Sequence, residues 1–191
     1  MYKHIPNFLT LSRIAIIPVV IVIFCLPWQY NHIVAATLFL LASITDGLDG
    51  YLARRWQVVS QLGVFLDPVA DKLLVSSALV LLVAQHAYYL AIPALIIIGR
   101  EIAVSALREW MAELGKQAKV KVTQVAKVKT FIQMLAITLL LVDQEFVTTA
   151  GYVALYVAAI LTLWSMAIYL MIAWQELNKS TTKPLDVDKN T

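Results

Sequence analysis

From Phe8 to Trp174 the chain alternates long apolar runs with short polar breaks. A helix that crosses the hydrocarbon core of a bilayer needs about 20 mostly apolar residues. Six runs meet that length, at roughly 8–27, 32–53, 67–86, 89–112, 126–143 and 147–174. No stretch has the period-two alternation of a strand. Lipid offers no water to an open backbone, so the pattern predicts six helical spans. The last run exceeds one crossing and is expected to tilt or to protrude into water. No internal repeat is visible. The tail NKSTTKPLDVDKNT is polar and expected to fray, which divides the chain into a membrane domain, 1–175, and a polar cytoplasmic tail, 176–191.

Composition supports the same reading. The chain has 191 residues, 61% of them hydrophobic and 14% charged, more apolar surface than a soluble domain of this size can bury. The expected class is an all-α polytopic membrane protein. The net charge of +3 says little by itself, and no nucleic-acid partner is expected. The single cysteine, Cys25, lies in the first apolar run and is expected to act as a small buried hydrophobe. LPWQYN, which follows that run, is no small-residue cleavage site, so an uncleaved first helix is expected.

The position of the charges decides orientation. The breaks after the first, third and fifth runs, PWQYN, QHAYY and DQEFVTT, contain neither Lys nor Arg. All 15 basic residues lie near the N-terminus, in the second and fourth breaks, at the adjoining helix ends, or in the tail. Basic residues accumulate on the cytoplasmic side, so both termini and the second break are expected there.

That second break is flanked by carboxylates. Asp46 and Asp49 are followed by Gly50 and Ala53, and positions 46, 49, 50 and 53 share one helical face. Gly63, Asp67 and Asp71 step by four, again one face if the helix begins early enough, with Pro68 expected in its first turn. A short connection makes the two helices antiparallel neighbours, which would bring four carboxylates to one pocket at the cytoplasmic membrane edge. Such a cluster takes up protons or binds cations. An all-oxygen donor set suits Mg²⁺ or Mn²⁺, and two such ions could clamp phosphate oxygens. Gly50, Ala53 and Gly63 leave room for a ligand near the backbone. The competing account pairs the aspartates with Arg54, Arg55 and Lys72 as solvated helix ends. Four ionisable groups at this spacing favour the ligand site, because intramembrane charge is expensive and usually functional.

Asp46-x2-Asp49-Gly50-x2-Ala53-Arg54-x8-Gly63-x3-Asp67-x3-Asp71 resembles the signature of the CDP-alcohol phosphatidyltransferases at eight fixed residues over 26 positions. The resemblance implies six transmembrane helices, a homodimer, and transfer of a phosphatidyl group from CDP-diacylglycerol to an alcohol with release of CMP. It implies two metal ions held by Asp46, Asp49, Asp67 and Asp71, with Asp71 as the catalytic base. Arg54 could pair with the diphosphate or orient Asp49, or form a structural salt bridge. Asn7, Thr10 and Arg13 follow one another at i+3 steps and could contact the cytidine diphosphate, or cap and snorkel.

The acceptor is read from the second half of the chain. Arg100 and Glu101 lie midway along an apolar run, and Arg108 follows eight residues later. Lys127, Lys129 and Thr130 open the fifth run. These cations could form a phosphate pocket, or pair with Glu101, Glu109 and Glu113. Lys116, Lys119 and Lys121 in the intervening break could meet anionic lipid headgroups. So many cations suggest a phosphorylated acceptor. IPNFLTLSRIAIIPVVIV, GREIAVSALRE and KVKTFIQM resemble the bacterial members of the family whose acceptor is sn-glycerol 3-phosphate. Ala126 departs from the glycine expected there. That resemblance implies the bacterial cytoplasmic (inner) membrane. Serine-, inositol phosphate- and phosphatidylglycerol-accepting relatives stay open, as do a divalent-cation transporter and a non-catalytic scaffold.

Overall fold

Each apolar run folds as a helix. A computed structural model describes residues 5–56, 61–86, 88–113 and 124–181, with side chains at 11–45, 63, 66–85, 88–113, 128–171 and 173–175. Six helices follow in order: α1 Ile5–Cys25, α2 Asn31–Trp56, α3 Gln61–His86, α4 Tyr88–Glu113, α5 Gln124–Val142 and α6 Glu145–Thr181. No strand occurs among the described residues. Two boundaries differ from the hydropathy reading. α3 starts at Gln61, ahead of the apolar run, so Pro68 lies inside the helix and not in its first turn. Pro68 therefore cannot donate to the Val64 carbonyl, a local break in the helical ladder beside Asp67. α6 continues to Thr181, several residues beyond the expected span and into the polar tail; at 1.5 Å per residue it is about 55 Å long.

The breaks are built as caps. Asn31 Nδ2 donates to the Phe24 and Leu26 carbonyls at 2.9 and 3.0 Å, while its Oδ1 accepts the His32 N–H at 2.8 Å. One side chain thus closes the end of α1 and opens α2. Asp143, at φ 52°, turns the chain from α5 into α6 and accepts a 2.6 Å hydrogen bond from Gln85 Nε2. The His32 ring lies 3.9 Å from the same Asp143 oxygen. The C-terminal ends of α3 and α5 and the start of α2 therefore meet at one end of the bundle.

The helices close a ring in the order α1, α2, α5, α6, α4, α3, with α3 also touching α5 across it. The broadest contact joins α5 to α6. Gly151 permits it: a Cβ there would lie 2.8 Å from Leu140 Cγ and 3.2 Å from the Leu140 backbone nitrogen. Among the described residues, α2 and α3 are held together mainly through α1, not by the direct antiparallel pairing that their short connection suggested. Phe39, Leu79, Leu82, Ile97, Ile137 and Leu155 fill the centre, all fully buried.

The outside is as apolar as the inside. Leu95, Phe131, Ile160 and Trp164 keep 64 to 74% of their surface accessible. α4, and α6 over Glu145–Gln175, are long and apolar enough to cross a membrane, and only 28% and 29% of their most apolar windows are buried in the protein. Water would not tolerate such a surface on a monomer, so the solvent of these faces is lipid. This is a membrane protein. Cys25 is exposed at the end of α1, against the expectation of burial. It lies three residues after exposed Val22, on the outward side of the helix, while Val20 and Phe24 face the core.

Candidate active site

The first half of the site is built on α1, α2 and α3. Asp46, Asp49, Gly50, Ala53 and Arg54 lie on the last turns of α2, and their side chains fall outside those described. The same holds for Asn7 and Thr10 on α1. Asp67 and Asp71 sit one turn apart on α3, both partly exposed, with Gly63 buried one turn before them. Arg13 crosses from α1 to meet this face. Its side chain is 1% exposed, and its Nη1 donates to Asp71 Oδ1 at 2.8 Å, while the Asp71 side chain remains 42% accessible.

A charge-assisted bond of that length fixes the direction of the carboxylate. Arg13, expected at the donor, and Asp71, expected as the base, are thus brought together. Among the described residues no three His, Cys, Asp or Glu side chains gather as a metal site. The described part of the proposed donor set is Asp67 and Asp71. Both are oxygen donors, accessible and a helical turn apart, which fits a hard divalent cation.

The second half lies between α4, α5 and α6. Lys129 is 2% exposed, and its Nζ donates to Glu101 Oε1 at 2.7 Å. Arg100 Nη1 donates to the same oxygen at 3.0 Å, and Arg100 Nη2 to Ser165 Oγ at 3.1 Å. Arg100 and Lys129 are therefore joined by a shared carboxylate, the pairing that the residue types had left open. Arg108 goes elsewhere: it is exposed, lies 5.7 Å over the Tyr169 ring and donates to the Tyr169 hydroxyl at 3.3 Å. Eight residues place it about 12 Å further along α4 than Arg100. Thr130, the next residue on α5, is exposed where Lys129 is buried. Lys127 lies on α5 with its side chain outside those described. The sequence reading missed Gln133, Thr162 and Ser165, all buried polar side chains. Their signal was available: Gln133 follows Lys129 by four, and Thr162 and Ser165 are three apart in the otherwise apolar stretch 150–174.

The described helices thus carry an Arg–Asp pair between α1 and α3 and a second group of charges, Arg100, Glu101 and Lys129, between α4 and α5. The sequence model of the CDP-alcohol phosphatidyltransferase family matches residues 3–164, and the chain belongs to that family. Within it, the chain is 49% identical to a protein of Sodalis glossinidius (strain morsitans) over 179 residues, 93% of this chain and 98% of the relative. It is also 49% identical to a protein of Haemophilus influenzae over 175 residues, 91% of this chain and 95% of the relative. A Salmonella choleraesuis protein matches at 49% over 179 residues, 93% and 98% of the two chains. All three relatives bear the name CDP-diacylglycerol–glycerol-3-phosphate 3-phosphatidyltransferase.

Proposed function

We propose that this chain transfers the phosphatidyl group of CDP-diacylglycerol to sn-glycerol 3-phosphate, releasing CMP and forming phosphatidylglycerol phosphate. The observation that carries the reading is the near-complete overlap, at 49% identity, with relatives named for that reaction. The pair of cations on α4 and α5, buried Lys129 and partly exposed Arg100, supports a phosphorylated acceptor, since a neutral alcohol needs none.

In this reading the acceptor's far hydroxyl attacks the phosphorus that bears diacylglycerol, and the bond from that phosphorus to the CMP oxygen breaks. Asp71 takes the hydroxyl proton. Arg13 holds Asp71 pointed at the reacting group and, in this reading, also serves the cytidine diphosphate. Asn7, Thr10, Gly50, Ala53, Arg54 and Gly63 complete the donor site. Arg100 and Lys129 hold the acceptor's phosphate, with Arg108 and Lys127 further towards the cytoplasmic ends of α4 and α5 and Thr130 next to Lys129 in the chain. Members of the family use divalent metals. Two Mg²⁺ or Mn²⁺ ions on Asp46, Asp49, Asp67 and Asp71 would neutralise the charge that develops on departing CMP.

All six helices cross the bacterial cytoplasmic membrane in this proposal, with both termini and the polar pocket on the cytoplasmic side. The α6 extension projects into the cytoplasm, and the active form is a homodimer surrounded by lipid. The deciding experiment offers purified protein CDP-diacylglycerol with an equimolar mixture of sn-glycerol 3-phosphate, serine, inositol phosphate and phosphatidylglycerol, and reads products by mass. Phosphatidylglycerol phosphate is expected to dominate. Preferred transfer to serine would remove the phosphate-pocket argument and leave the donor chemistry standing.

A further inference from the structure

The polar cluster between α4, α5 and α6 is unbalanced. Two cations, buried Lys129 and the partly exposed Arg100, face one carboxylate, Glu101, and a single oxygen of it accepts from both. A brace whose only task was to join helices would be expected to neutralise itself, because an uncompensated charge in a dry interior is costly. Here one positive charge is left over among the described residues. Ser165 Oγ donates to the Thr162 carbonyl at 3.0 Å, so its lone pairs face Arg100 as a fixed acceptor. Arg100 Nε and Thr162 Oγ1 are buried with no hydrogen-bond partner among the described residues. Glu101 is the most open of the three charged groups, with 27% of its side chain accessible against 11% and 3% for Arg100 and Lys129.

We propose that Glu101 is a positioning residue for the acceptor's phosphate. It holds Lys129 and Arg100 in place and cancels part of their charge, which limits how tightly a phosphate is gripped. The limit matters because the product keeps the same phosphate: a site that bound it with both cations unopposed would release the lipid slowly. The inference rests on the acceptor reading above. It separates two effects of one side chain. Its oxygen places the cations, and its charge weakens their hold on an anion.

Glu101→Gln keeps the accepting oxygen and removes the charge, whereas Glu101→Ala removes both. Steady-state kinetics on purified variants, with sn-glycerol 3-phosphate and CDP-diacylglycerol varied in turn, reads the two effects apart. For Glu101→Gln the acceptor KM and the inhibition constant of inorganic phosphate should fall by about three- to tenfold, with kcat down by at least about tenfold. For Glu101→Ala the acceptor KM should rise. The KM for CDP-diacylglycerol should stay within about twofold in both.

A merely structural role would not move acceptor KM in opposite directions. An acceptor KM that is unchanged or raised in Glu101→Gln overturns the proposal. If Glu101→Gln does not yield folded protein, Glu101→Asp carries the test: the carboxylate is drawn back by one methylene, acceptor KM should rise at constant donor KM, and no change overturns the idea. Lys129→Met tests the underlying reading separately. If it leaves acceptor KM untouched, the phosphate is bound elsewhere. If it raises that KM while Glu101→Gln changes nothing, only the role of Glu101 falls.

Discussion

Gly151 and Gly99 make a matched pair, because the same added methyl group should change stability in opposite directions. Both are helical, and glycine costs about 1 kcal/mol relative to alanine in a helix interior, so alanine gains at either site before packing is considered. At Gly99 a Cβ meets nothing within 4 Å, and that gain stands alone. At Gly151 the new atom would lie 2.8 Å from Leu140 Cγ, 3.0 Å from its Cδ2 and 3.2 Å from its backbone nitrogen. Cγ is the branch point of a fully buried leucine and cannot swing aside. The backbone nitrogen yields only if α5 and α6 separate. Overpacking costs about 1–3 kcal/mol, and contacts with a branch point and a backbone atom put this site at about 2–3 kcal/mol, which outweighs the propensity gain.

The net expectation is a loss of about 1–2 kcal/mol for Gly151→Ala and a gain of up to about 1 kcal/mol for Gly99→Ala. For a chain of this size, 1 kcal/mol moves Tm by roughly 2–4 °C. Size-exclusion retention after graded heating, at one detergent concentration and one heating time, should place Gly151→Ala about 2–8 °C below the parent and Gly99→Ala level with it or up to about 4 °C above. A Gly151→Ala protein as stable as the parent would refute the argument that this glycine sets the α5–α6 distance.

Exhaustive chelation should lower activity by at least about a hundredfold, with Mg²⁺ or Mn²⁺ restoring it and Ca²⁺ restoring little. Asp71→Asn should lower kcat by about 10²–10⁴-fold with CDP-diacylglycerol affinity retained, measured by calorimetry beside single-turnover assays; normal turnover would exclude Asp71 as the base. In a Cys25→Ser background, needed because Cys25 is exposed, an impermeant maleimide added outside spheroplasts should label Gln29→Cys and spare Gln117→Cys. The reverse pattern would invert the proposed topology.

Much of this protein is legible from spacing along the chain. Apolar runs separated by short polar breaks were enough to place six helices, because helix length in lipid is set by bilayer thickness. The eight-residue signature from Asp46 to Asp71 carried the resemblance to the family, and its helical intervals on two consecutive elements placed its carboxylates on one face of each. Tertiary structure decided what meets across helices. Arg13 and Asp71 are 58 positions apart, and nothing in the local pattern says that α1 reaches the α3 face where the carboxylate lies.

Arg100 and Lys129 each had several possible partners; Arg100 takes its neighbour Glu101, and Lys129 reaches the same carboxylate across helices because α4 and α5 both pack on α6. Exposure was equally hidden. Leu155 is fully buried and Trp164, on the same helix, is 66% exposed, yet both are apolar. In water the contrast between polar and apolar faces reveals which side of a helix packs inward. Lipid is as apolar as a protein core, so that contrast is lost, and shape alone sorts the inward face from the outward one.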